Sequence, residues 1–324
     1  MKRTMSIKET IISALGIRLK TIFNKLVAEE FNLIYEIRIR INQPIIVVKD
    51  QQEIFIKSDG TYTKDLKEAI IATLEDINNT LEMMSQYSMY AFEEELRQGY
   101  ITLEGGHRVG IVGKVIIENQ KIKSIRYVGA MNIRVAHEII GSADKILPYI
   151  YKTHDMIYHT LLVSPPRCGK TTILRDLIRQ ISQGSALKNG MTVGVVDERS
   201  EIAGCYKGVP QNSIGPRTDV LDGCTKVDGM LMLLRSMSPD LIAVDEIGKK
   251  EDLFAIEEVL NAGVKIVCTV HGSTLKDIMS KPVLKQMIEK HFFERIICIS
   301  ARKGPGTIET ILDGGTLEDC KVVS

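Results

Sequence analysis

The residues with the clearest chemistry stand together in Ser164-Pro165-Pro166-Arg167-Cys168-Gly169-Lys170-Thr171-Thr172. This loop closes on Gly-Lys-Thr between a short apolar run, Leu161 to Val163, and a stretch whose apolar residues, Ile173, Leu177, Ile178 and Ile181, have helical spacing. Strand, loop and helix in that order are the context of a phosphate-binding P-loop. Backbone N–H groups and the positive end of the helix dipole cradle phosphates there, Lys170 reaches the β- and γ-phosphates, and the Thr171 hydroxyl holds Mg²⁺. Ser164 to Thr172 are therefore the expected ATP-binding set. Where the pattern has a first glycine this chain has Ser164, followed by two prolines; these stiffen the turn and remove no N–H that the cradle requires.

Three further groups of polar residues close apolar runs. Val193 to Val196 leads into Asp197-Glu198-Arg199-Ser200-Glu201, where Glu198 and Glu201 can hold Mg²⁺ through water or polarise a nucleophile, or form a solvated charged loop. Leu241-Ile242-Ala243-Val244-Asp245-Glu246 has the shape of a Walker B segment, with Asp245 securing the metal shell and Glu246 positioning or activating the attacking water. Val267 to Val270 ends in His271-Gly272-Ser273, and a histidine at a strand end can sense or orient a γ-phosphate.

Positioning these groups requires a parallel, helix-covered sheet, because ligands in such sheets bind at the carboxyl ends of the strands. Short apolar strands are expected near Tyr158 to Val163, Met191 to Val196, Leu241 to Val244, Val264 to Val270 and Arg295 to Ile299, alternating with helical segments. The fold class is α/β: a RecA-like P-loop ATPase core with a smaller N-terminal α+β domain. Expected boundaries are 1–140 for the N-terminal domain, 141–157 for a linker and 158–324 for the ATPase domain.

In the first part, Ile11, Ile12, Leu15, Leu19, Ile22, Phe23 and Leu26 predict an amphipathic helix over 8–28, which either docks on a membrane or partner or packs on its own domain. Glu36 to Ile41 alternates and then turns at Asn42-Gln43-Pro44 into Ile45 to Val48, a hairpin with Arg38 and Arg40 on a wet face. A second helix is predicted from Leu66 to Met84, with Met83 and Met84 as core filling, and a short one from Ala91 to Gln98. Tyr100 to Leu103 and Arg108 to Val112 flank a hairpin turn, and apolar β-rich runs follow at Lys114 to Ile117 and Ile125 to Val135.

The 324 residues suffice for two domains with separate cores. Lys and Arg number 42 against 41 Asp and Glu, so the net charge of +1 gives no global field for nucleic acid, and with 5% aromatics and no Trp no nucleic-acid partner is expected. Six cysteines without a Cys-x-x-Cys pair suit reduced thiols in the cytoplasm. Charged residues interrupt Ile7 to Val27, so neither a signal peptide nor a spanning helix is expected, and membrane association would be peripheral.

These four motifs, in this order, resemble the hexameric secretion-superfamily ATPases of type II and type IV secretion and pilus machines. Within it the chain is similar to the sporulation stage III branch, on Ser164 to Thr171, on Gly204 to Gly223 with Gly215-Pro216-Arg217-Thr218-Asp219, and on Gly105-Gly106-His107-Arg108-Val109-Gly110. Two positions depart from the superfamily: Asp245 stands where its members carry Gly before the Walker B Glu, and Gly263-Val264 replaces an earlier His, so only the His271 role carries over. The resemblance implies a Mg²⁺-dependent ATPase, a homo-hexamer, in the cytoplasm at the mother-cell face of the forespore membrane. There it contacts a membrane protein partner and energises assembly of, or transport through, a channel complex. Two other classes stay open, a RecA-like nucleic-acid-dependent ATPase and a nucleotide-gated scaffold with little turnover. The in-chain motifs place no second cation on the γ-phosphate, so an arginine from a neighbouring subunit is expected to complete the site, with Arg217, Arg134 and Arg235 as candidates.

Overall fold

The computed structural model describes residues 5–50, 52–85, 96–97, 99–186 and 188–320. Two compact units emerge, one from 1–137 with 204–211 and the other from 138–203 with 212–324. No motif or change of composition marks 204–211 as leaving the second unit. Its membership in the first includes a hydrogen bond from the Gly105 N–H to Gln211 Oε1 at 2.9 Å. Nor is 141–157 a free linker, since Ala143, Ile146, Ile150 and Ile157 are fully buried and the Ala143 N–H donates to Asp176 Oδ2 at 2.9 Å.

The first unit is an antiparallel seven-stranded sheet in the order β4-β3-β2-β1-β7-β6-β5. Its strands are β1 (Ile34–Arg40), β2 (Ile46–Lys49), β3 (Gln52–Ile56), β4 (Tyr62–Thr63), β5 (Tyr100–Thr102), β6 (Arg108–Glu118) and β7 (Lys121–Arg134). Ile37 and Ile39 are buried, while Arg38 on the wet face is paired to Glu36 and Glu53. The helix expected over 8–28 is three: α1 (Ile7–Ala14), α2 (Ile17–Phe23) and α3 (Ala28–Phe31). Leu15 and Gly16 are extended between the first two, and a Cβ on Gly16 would lie 2.8 Å from Asn79 Cβ, so close helix packing breaks the helix there. The apolar stripe is buried throughout, in the unit's own core. The second expected helix is shorter as well, starting at α4 (Leu74–Met84) with a Thr73/Asp76 capping box; Ile70 instead joins the sheet margin through Ile70 N–H to Ile56 O at 3.0 Å. Met84 is core, as expected, and the helix predicted at Ala91 to Gln98 lies outside the described residues apart from 96 and 97.

His107 joins three parts of this unit. The Ala136 N–H donates to its Nδ1 at 3.0 Å, so Nε2 carries the proton and meets Thr10 Oγ1 of α1 at 2.7 Å. Burial, assisted by the charge of His137, lowers its pKa to about 4. A histidine depressed when folded takes up its proton earlier when unfolded, so stability falls as pH drops below the unfolded value near 6.5. Between pH 7 and pH 5 this one group should remove about 2 kcal/mol. The His107→Ala variant should be less stable at pH 7 yet lose less on acidification, which urea midpoints at the two pH values will read.

The second unit carries the expected parallel sheet, in the order β10-β9-β11-β12-β8-β13-β14. Its strands are β8 (Thr160–Ser164), β9 (Val193–Asp197), β10 (Thr218–Asp222), β11 (Leu241–Val244), β12 (Lys265–His271), β13 (Arg295–Ser300) and β14 (Thr307–Asp313). Only β14 runs antiparallel. β10 and β14, both edge strands, were not expected, because half-exposed edges lack the continuous apolar run that marks the buried strands. The helices are α5 (Leu147–Ile150), α6 (Lys170–Gln183), α7 (Lys226–Ser236), α8 (Lys250–Asn261), α9 (Leu275–Met279) and α10 (Pro282–Glu289). Met230, Leu233, Ile256, Val259, Ile278 and Met287 from α7 to α10 cover one face of the sheet, and α6 packs across β8, β9 and β12.

Candidate functional site

Every residue of β8 is buried, so the chain leaving it turns within a few residues to begin α6. Arg167 (φ +61°) and Gly169 (φ +86°) make that turn in the left-handed region, where glycine carries no Cβ penalty. The Gly306 N–H, from the connection between β13 and β14, donates to Cys168 O at 2.9 Å and braces the loop. Ser164 and Cys168 are buried, Arg167 and Pro166 exposed. Lys170, Thr171 and Thr172 thus occupy the first turn of a 14-residue helix, whose unpaired N–H groups and positive dipole end face the same side.

At the end of β11 the carboxylates meet that turn. Asp245 Oδ2 accepts from Thr171 Oγ1 at 2.8 Å, and its Oδ1 accepts from the Thr269 hydroxyl on neighbouring β12. Glu246 is held in the left-handed region (φ +58°), with its N–H donating to Thr269 Oγ1 at 2.9 Å. Such a conformation is strained for a residue with a Cβ and persists where the surroundings fix it. Glu246 Oε1 accepts from Lys170 Nζ at 2.6 Å and lies 2.8 Å from His271 Nε2, while Oε2 accepts from Arg199 Nη1 at 2.8 Å. Burial alone would raise the Glu246 carboxyl, but the hydrogen bond and charge of Lys170, with His271 and Arg199, outweigh it and hold the group below the usual range. His271 Nδ1 is buried with no hydrogen-bond partner.

The acidic segment after β9 divides in two. Asp197, 2% exposed, accepts the N–H groups of Glu201, Ile202 and Ala203 at 2.8, 3.0 and 2.8 Å, and burial nevertheless raises its pKa to about 6. It shapes the loop. From α6, Arg175 Nε and Nη2 donate to Ile202 O and Glu201 O, both at 2.6 Å. Glu198 pairs with Lys226 at the start of α7, and with Asp197, Arg199, Glu201, Lys226, Asp245 and Glu246 it lines one recess. Two charge-assisted bonds hang on Arg175, so Arg175→Met is expected to cost about 3 kcal/mol, measured by chemical denaturation.

Lys170, Thr171, Asp245, Glu246, Glu198, Glu201 and His271 are therefore gathered at the carboxyl ends of the strands. Arg217 is not among them. Its backbone N–H donates to Ser182 Oγ at 2.7 Å and its Nη1 to Ser182 O at 2.8 Å, in the last turn of α6, about 20 Å along the helix from Lys170. Arg134 and Arg235 are exposed. Sequence reasoning missed Arg199, Lys226, Thr269 and Arg175. Thr269 alone left a trace, a hydroxyl inside an apolar strand; Arg199 was hidden among acids, and Lys226 belongs to no motif.

The donor set fits a hard cation only in part. Thr171 and Asp245 bring a hydroxyl and a carboxylate together, and among the described residues no group of three His, Cys, Asp or Glu forms a complete metal cage. Two protein oxygens completed by phosphate and water suit Mg²⁺.

A family profile described as "Sporulation stage III, protein AA" matches residues 5–317. "Stage III sporulation protein AA" of Bacillus subtilis (strain 168) is 42% identical over 295 residues, 91% of this chain and 92% of that protein. Among solved structures, the Legionella pneumophila ATPase DotB aligns with a TM-score of 0.55 at 16% identity, over 83% of this chain and 73% of that one. The pilus retraction motor PilT, solved with ADP, aligns with a TM-score of 0.53 at 19% identity, over 85% and 76%. At such identities the likeness is one of fold alone, the RecA-like architecture that was expected. No helix among the described residues is long and apolar enough to cross a membrane.

Proposed function

The chain belongs to the sporulation stage III, protein AA family, and from that premise we propose that it is an ATP-hydrolysing motor of the secretion-ATPase kind. Its turnover energises assembly of, or transport through, a channel between mother cell and forespore. One observation carries the reading: a single carboxylate, Glu246, collects Lys170, Arg199 and His271 from three separate segments, beside the Thr171–Asp245 pair. A surface ion pair needs no such convergence, whereas phosphoryl transfer needs cations, a metal-binding hydroxyl and a water-positioning acid in one place.

In this reading the loop Ser164 to Thr172 wraps the phosphates, and the Lys170 ammonium passes from Glu246 to the β- and γ-oxygens. Thr171 and Asp245 would hold Mg²⁺, which would supply Lewis-acid neutralisation of charge on the phosphates. Glu246 then orients and deprotonates the attacking water, with His271 beside it, and Glu198 and Glu201 are the next carboxylates in line. The motor works as a homo-hexamer in the cytoplasm, peripheral to the mother-cell side of the forespore membrane and docked on a membrane protein partner.

ATPase activity and mass of the purified protein, with and without nucleotide, membranes and DNA, test this together. Mg²⁺-dependent hydrolysis by a ring indifferent to DNA is expected; stimulation by DNA would favour a nucleic-acid motor, and tight binding without turnover a scaffold. A shared site makes a sharper prediction. Subunits carrying Lys170→Ala, mixed with subunits carrying Arg134→Ala or Arg235→Ala, should recover activity that neither parent has. The Arg217 guanidinium already bonds the Ser182 carbonyl at the end of α6, so it ranks behind them. No recovery with any of the three arginines would rule the shared site out.

A further inference from the structure

Beyond Val112 and Gly129, β6 and β7 leave the sheet of the first unit and have only each other as strand partners among the described residues, with Arg97 Nε donating to Lys123 O at 3.1 Å. The pairs run Lys114↔Arg126, Val115↔Ile125, Ile116↔Ser124, Ile117↔Ile122 and Glu118↔Lys121, closed by Asn119 (φ +50°) and Gln120 (φ +59°) as a two-residue turn. At its root, the Tyr127 backbone is left-handed (φ +49°) and a Cβ on Gly113 would stand 2.7 Å from Arg126 O, so a bulge sets the ribbon's direction.

This ribbon concentrates two properties. Five exposed large apolar side chains, Val112 (66%), Val115 (43%), Ile117 (68%), Ile122 (48%) and Tyr127 (81%), fall within 16 residues, which is a patch and not scatter. The same stretch holds Lys114, Lys121, Lys123 and Arg126 against Glu118, a net of +3 on a chain whose total is +1, so the remaining residues sum to −2. Lys123 is paired to Glu118 at 2.7 Å, while Lys114 and Arg126 are exposed.

We propose that this β-ribbon is a lipid-contacting element for anionic membrane surfaces, placing Val115, Ile117, Ile122 and Tyr127 at the headgroup boundary and Lys114 and Arg126 against lipid phosphates. Charge separates this occupant from the others. A second copy would bring +3 against +3, and strand addition by a peptide is opposed by the register shifts at Val112/Lys114 and Ile116/Ile117 and by lysine on the edge. Exposed aliphatics beside cations, with a tyrosine at the margin, are the composition that partitions into an anionic interface. The edge backbone groups outside the β6–β7 ladder, of which Lys123 O is taken by Arg97, bar the ribbon from the hydrocarbon interior, so contact is shallow and reversible. This inference is independent of the ATPase reading and gives the peripheral placement a physical means.

The full-length protein is to be sedimented with vesicles of phosphatidylcholine alone or mixed with phosphatidylglycerol. Binding is expected to the mixed vesicles only, weakening as salt is raised. Removing a cation by Lys114→Gln or Arg126→Gln should lower partitioning roughly fivefold each, and Ile117→Asp with Ile122→Asp at least tenfold. Since the chain has no Trp, Tyr127→Trp adds a lone reporter whose emission should shift to the blue with anionic vesicles, in an otherwise unaltered chain should the aspartate variants fail to fold. Equal or absent binding to the two vesicle types, unaltered binding by folded variants, or an unshifted reporter would overturn the proposal. So would Ile117→Asp abolishing self-association in place of vesicle binding.

Discussion

Lys170→Ala is expected to reduce affinity for a labelled ATP analogue by a hundredfold or more, in a protein that keeps its circular dichroism and urea midpoint. The ammonium is the in-chain side-chain cation that the Gly-Lys-Thr loop puts on the transferring phosphates, and a charge-assisted contact of that kind is worth about 3 kcal/mol. It sits 8% exposed at the head of α6, so the loss is not made good by solvent or by a neighbouring side chain sliding in. Glu246 would still hold Arg199 and His271, which leaves the carboxylate anchored and the fold of the site intact. Unchanged affinity would remove the nucleotide site from this loop altogether.

Glu246→Gln should separate binding from turnover. Hydrolysis is expected to fall by about 10² to 10⁴, since an amide orients water but takes no proton from it. Affinity should rise severalfold, because the amide no longer competes with phosphate for the Lys170 ammonium now bonded at 2.6 Å. Steady-state turnover and equilibrium binding on the same preparation read both quantities. Wild-type turnover would move the base to Glu198 or Glu201, and of these Glu198 is already committed to Lys226.

Strands buried on both faces announce themselves by continuous apolar runs, and β11 begins and ends where Leu241 to Val244 does. Edge strands such as Thr218–Asp222, with four residues partly buried and Asp222 exposed, carry no continuous apolar run and are silent. Helix length is the least legible quantity. The stripe from Ile11 to Leu26 has the right period, but only the approach of α4 to Gly16 decides that the helix is interrupted. At the candidate site the groups with motifs, Lys170, Thr171, Asp245, Glu246 and His271, could be read in advance. Arg199 and Lys226 could not, because what makes them part of the recess is the path of β9 and the start of α7, and neither leaves a mark on local spacing.

The excursion of 204–211 has a practical consequence for taking the protein apart. Its two ends are fastened together, with the Asn212 N–H donating to Ala203 O at 3.0 Å and Asn212 Nδ2 to Ile202 O at 2.9 Å. A fragment that simply starts at residue 138 would carry this loop without its own core. One that deletes 204–211 and joins Ala203 to Asn212 through a glycine or two would keep a closed circuit of chain. The gene can therefore be divided, but only by two cuts and a splice.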